Sequence, residues 1–164
     1  MGRYPLKLYL YKPDHIGGWQ QRLLRIVSRV QWGHVALAIG PVIYYMDHKK
    51  GMRICSEEAV HKVMQWDECL FLEELIINDS KVLDNLNNEE YKQSSAFYAT
   101  FWYHVGRLLK LPIPNLCSTE TCVILQKLNF DIPKYLTADE IKEWLYENDC
   151  IRGSRRRWQN DYCA

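Results

Sequence analysis

The sequence predicts an α+β fold: a small antiparallel sheet built mostly by the first half of the chain, flanked by helices mostly from the second. Three observations carry this reading. Short apolar or alternating runs bounded by turn residues crowd the first half, among them "LKLYLY" (6–11), "HVALAIG" (34–40) and "VIYYM" (42–46). From residue 87 onward the apolar residues recur at helical spacing instead. The link between 34–39 and 42–46 is only Gly40-Pro41, which favours a hairpin. With 164 residues, 48% of them hydrophobic, the chain can bury one sizeable core, and no repeat or linker divides it.

In chain order, 6–11 reads as a strand and "KPDHIGG" as a loop. "WQQRLLRIVSRV" (19–30) reads as a short amphipathic helix, with Trp19, Leu23, Ile26 and Val30 on one face. Strands follow at 34–39, 42–46 and 52–56, then a helical turn in "EEAVHKVM" and a strand in "CLFLEELI". A longer helix is expected over 87–109, then a loop stiffened by Pro112 and Pro114. "STETCVILQKLNF" predicts a helix with Ser118 to Thr121 as capping residues and Cys122 in its first turn. "LTADEIKEWLYEN" predicts another, with Thr137 as N-cap and Glu140 completing a capping box. Residues 152–164 read as a basic surface tail on a single domain spanning 1–164.

A net charge of +1 supplies no global field for nucleic acid, and only the arginines of Arg152–Arg157 offer such a footprint. No apolar run approaches the ~20 residues of a membrane span, and no signal peptide is read at the N-terminus. The expectation is therefore cytoplasmic synthesis, with the six cysteines mostly reduced. No metal-ligand spacing is present, and neither metal nor organic cofactor is expected.

Chemistry concentrates on two residue types. A thiolate is the reactive form of cysteine, and a helix N-terminus or a neighbouring imidazolium lowers its pKa. Cys122, in the first turn of its expected helix, and His34, at the entrance of an apolar strand, would form such a pair, with a helix-start N–H as oxyanion donor. Against this stands the ordinary packing role of a buried cysteine and of a strand histidine. Trp32, Gly33 and Tyr44 are candidates for the groove beside His34.

"GGWQQRLLRIVSRVQWGHVALAIG" resembles the opening of the circularly permuted NlpC-type branch of papain-like cysteine hydrolases. "TCVILQKLNFDIPKYLTADEIKEWL" is similar to that branch's nucleophile helix and closing helix. The likeness covers roughly residues 5–46 and 112–145; lecithin-retinol acyltransferase-like proteins belong to the same broad group. The resemblance implies a permuted papain-like fold, with His34 as general base preceding the nucleophile in the chain. It also implies a peptide or acyl substrate, with amides of peptidoglycan stem peptides first.

Two departures stand out. Cys117 is an alternative nucleophile, since "CSTE" resembles the "CSE" opening of some permuted members. Cys122 is favoured because the family's helix wants apolar residues three and four positions after its cysteine: Leu125 then follows Cys122, whereas Glu120 and Thr121 follow Cys117. The polar residue that orients the histidine falls, counted from Gly40, on Tyr45 or Tyr44, with Tyr45 preferred; Asp47 or His48 would need a shifted register. The other reading is an inactive papain-like fold used as a structural or binding module, for instance a phage-encoded protein contacting other virion proteins.

Overall fold

The computed structural model describes residues 2–12, 31–47, 51–63, 65–77 and 117–156, together with 105 and 109. The helix expected over 19–30, most of that over 87–109 and the chain from 157 onward lie outside the described residues. The described chain runs β1 (Gly2–Tyr4), β2 (Leu6–Tyr11), β3 (His34–Ile39), β4 (Val42–Asp47), β5 (Gly51–Ser56) and α1 (Glu57–Val63). Then come β6 (Glu68–Leu72), β7 (Leu75–Ile77), α2 (Cys117–Lys127), α3 (Ala138–Glu147) and β8 (Ile151–Arg156). A six-stranded antiparallel sheet in the order β5-β4-β3-β2-β6-β8, with helices packed on it, makes the α+β class.

β2 sits at the centre because its sequence suits burial on both faces. Leu6, Leu8 and Leu10 point one way, Lys7, Tyr9 and Tyr11 the other, as strand alternation requires. β3 is apolar on both sides for the same reason: Val35, Leu37 and Ile39 join the leucines, while Ala36 and Ala38 face with the tyrosines. The β3–β4 hairpin turns at Gly40, whose φ of 60° lies in the left-handed region. A Cβ there would also stand 3.0 Å from the Tyr4 ring.

The leucine face carries the main core. Cys122, Ile124, Leu125 and Leu128 of the α2 region, and Ala138, Ile141 and Leu145 of α3, close over it. α3 starts where expected: Glu140 N–H donates to Thr137 Oγ1 at 3.2 Å and Thr137 N–H to Glu140 Oε2 at 2.7 Å, the reciprocal capping box. α2 stops at Asn129, whose φ of 68° and the Phe130 N–H to Leu125 O bond of 3.0 Å form a left-handed C-terminal cap.

Three expectations are revised. "CLFLEELI" divides into β6 and β7, and β7 leaves the main sheet to pair with β1. Residues 152–156 are not tail: they continue β8, an edge strand paired with β6 from Leu72↔Ile151 to Glu68↔Arg156. Ile151 and Gly153 are half-buried and the arginines exposed, so a charged edge strand resembles a solvated tail in sequence. Third, Ser118 to Thr121 do not cap a helix but lie within α2 as buried helical residues.

Candidate functional site around His34 and Cys117

His34 is the first residue of β3, and the backbone leading to it is held at each step. Gln31 N–H donates to the Asp139 carboxylate of α3 at 3.1 and 3.2 Å, and Trp32 N–H reaches its Oδ2 at 3.4 Å. Gly33 N–H donates to Tyr11 O at 2.9 Å. His34 then pairs directly with Tyr11 across the ladder, and the two rings lie 5.5 Å apart at 55°. The imidazole is 3% exposed.

The direction of the β3 backbone decides what can meet His34. In an antiparallel strand the N–H and C=O of one residue point the same way and alternate along the chain. Tyr11 O takes an N–H from the β3 side, whereas Leu10 O accepts from Asp67 N–H at 3.0 Å on the β6 side. His34, paired with Tyr11, therefore bonds toward β2, and Val35 turns its N–H toward β4. The β3–β4 pairs end at Leu37↔Tyr44, short of Val35. The Val35 N–H hydrogen-bonds the Cys117 sulfur instead. The described N-terminal end of α2 thus lies beside Val35, the residue after His34, but Cys117 packs against the leucine-face core while the His34 ring lies with Tyr11 on the other face of β3. Burial pushes the Cys117 thiol up; N–H groups of Val35, Ser118 and Cys117 itself pull it part of the way back.

Cys122 has a different place. It is the sixth residue of α2, not part of its first turn, and is 0% exposed within the main core. Burial pushes its thiol up to about 12, against a hydrogen bond from the Leu136 backbone, and Glu140 adds to the rise. Its surroundings are the start of α3 and, on its own helix, Cys117, whose thiol also adds to the rise. The expected Cys122–His34 pair is corrected accordingly: a helix that starts at Cys117 carries Cys122 past the N-terminal end and turns it into the core.

The expected groove residues are packed inside. Tyr44 belongs to the main core, 4% exposed, with burial raising its hydroxyl pKa, and Trp32 joins the same core under Lys142, whose Nζ lies 5.2 Å from the ring centroid. Gly33 is half-buried. Tyr45 packs on the tyrosine face of the sheet with Ala36 and Tyr11. The β3–β4 pairs end at Leu37↔Tyr44, and Tyr45, Met46 and Asp47 pair with β5, so no described β4 residue pairs with His34.

The tyrosine face holds a second polar cluster, covered by α1. Lys7 Nζ bonds both Glu57 oxygens at 2.9 and 3.0 Å, and Tyr9 donates its hydroxyl to the same carboxylate. Burial alone would raise the Glu57 carboxyl, but these partners outweigh it and hold it below the ordinary glutamate value. His61 and Trp66 pack around the Tyr9 ring at 4.7 and 5.7 Å. Cys69, beside them, has its thiol pushed up to about 11 by burial.

Among the described residues no group of His, Cys, Asp and Glu could hold a metal ion, and no helix is long and apolar enough to cross a membrane. Cys55, Cys69, Cys117, Cys122 and Cys150 are unpaired thiols. His15, His48 and His104 lie outside the described residues. No protein-family model, curated protein or solved structure matches this chain.

Proposed function

We propose that this chain is a thiol hydrolase acting on an amide or ester carbonyl, with Cys117 as nucleophile and His34 as general base. The observation that carries this is the Cys117 sulfur at the start of α2, hydrogen-bonded to the Val35 N–H one residue beyond His34. The thiol rests protonated because burial raises its pKa; the His34 ring lies beside Tyr11 on the other face of β3, so in this reading it takes the proton during attack only after its side chain turns toward the start of α2. The sulfur bonds the carbonyl carbon, the imidazolium protonates the leaving amine or alkoxide, and water then releases the acyl group by the reverse proton route. The Ser118 N–H at the helix start is the natural oxyanion donor. The resemblance to permuted NlpC-type proteins supports a stem-peptide amide as substrate, with acyl lipids behind.

The test is labelling of the full chain with iodoacetamide at neutral pH, mapped by mass spectrometry, beside turnover of an activated acyl ester. Both are expected to be lost in Cys117→Ala, to fall about tenfold or more in His34→Ala, and to survive Cys122→Ala. One observation favours the second reading, a scaffold or binding module: β3 alternation turns His34 toward Tyr11 while α2 packs on the other face. Equal labelling of Cys117 with and without His34, and no ester turnover, would establish that reading instead.

A further inference from the structure

We infer that Asp139 is a positioning residue for His34, and that α3 is the bracket through which it acts; the inference rests on the reading of His34 as general base. A histidine at a strand's first residue has no ladder before it to fix its backbone. Here the missing constraint comes from another element. The Asp139 carboxylate accepts from two consecutive backbone N–H groups, Gln31 and Trp32, at 3.1 to 3.4 Å, and Gly33 is held next by Tyr11. Three successive amides before His34 are thus tied, two of them to one side chain 107 and 108 residues away in sequence.

The bracket is itself anchored. Asp139 sits inside the first turn of α3, within the Thr137–Glu140 capping box, so its backbone is fixed where the helix begins. One turn on, Lys142 bonds the buried Glu68 of β6 at 2.6 Å while lying over the Trp32 ring. α3 therefore grips the 31–32 segment by its backbone and its indole, and grips the sheet through Glu68. The capping box needs Thr137 and Glu140 but not the Asp139 side chain. That carboxylate is free to serve the approach to β3.

The experiment compares wild type with Asp139→Ala and Asp139→Asn in the full chain. It reads three quantities: amide exchange at Gly33 and His34, the NMR titration of the His34 imidazole, and the iodoacetamide rate at Cys117. In Asp139→Ala the two amides are expected to exchange at least tenfold faster, the His34 titration to move, and the Cys117 rate to fall about tenfold toward that of His34→Ala. Asp139→Asn, which keeps one acceptor oxygen, falls between, and carries the test should the alanine variant fail to fold. A purely structural role would lower the melting temperature but leave the His34 titration and the Cys117 rate as in wild type, which overturns the inference. The amide and imidazole readouts do not involve Cys117. If His34→Ala leaves Cys117 labelling unchanged, the hydrolase reading fails while the positioning of His34 is still decided.

Discussion

The two faces of the sheet are built from the same strands and behave as different materials. The leucine face is mostly apolar: Leu8, Leu10, Leu37 and Leu70 form one core cluster with Leu125, Ile141 and Leu145, with the Glu68–Lys142 ion pair beside it. The tyrosine face is smaller and more polar, with Ala36 and Ala38 leaving room for the Tyr9 and Tyr11 rings and a network joining Lys7 and Tyr9 to Glu57 of α1. The larger apolar core therefore lies on one face, with Cys122 inside it and Cys117 packed against it, and the Lys7–Glu57–Tyr9 network lies on the other.

The sharpest way to break this comparison is truncation. Leu125→Ala is expected to cost about 3 kcal/mol through lost burial and an unfilled cavity, against about 1 kcal/mol for Val60→Ala on the buried side of α1, both read by urea denaturation. Equal costs would mean that the tyrosine face carries as much of the core.

A smaller effect follows from Cys122. Its folded pKa, about 12, stands above the ordinary thiol value of about 8.5, so its contribution is intact below that value and is lost as pH rises toward 12. Between those limits the unfolded chain gives up a proton that the folded chain keeps. Removing the thiol in Cys122→Ala is expected to flatten the alkaline fall in unfolding free energy by about 1.4 kcal/mol per pH unit. An unchanged slope would place Cys122 in contact with water.

The acid limb tests the other face. The Glu57 contribution is complete above the ordinary glutamate value, about 4.3, and is lost as pH falls below it through the depressed folded value. Tyr9→Phe removes one of the hydrogen bonds that hold it down. It is expected to narrow that window and to cost about 1 kcal/mol at neutral pH. Urea titrations from pH 3 to 7 in both proteins measure this.

Much of this arrangement was legible in advance. The alternation of "LKLYLY", the apolar "HVALAI" and the Thr137–Glu140 capping box each depend on neighbours within a few residues, and each element forms where its local pattern requires. What misled was local as well. Ser118 to Thr121 are good capping types, yet they lie inside α2 with their side chains buried. β8 was illegible because its alternating Ile151, Arg152, Gly153 pattern is weak without β6 beside it.

Periodicity, turn chemistry and capping, all short-range, were enough to specify the α+β class, the strands around His34 and the start of α3. Which carboxylate holds the amides of Gln31 and Trp32, which ring lies beside His34, and which core Cys122 enters are relations between residues far apart in the chain. They depend on strand register and on which way a backbone N–H points, and those are set only when β2, β3, β4, α2 and α3 close on one another.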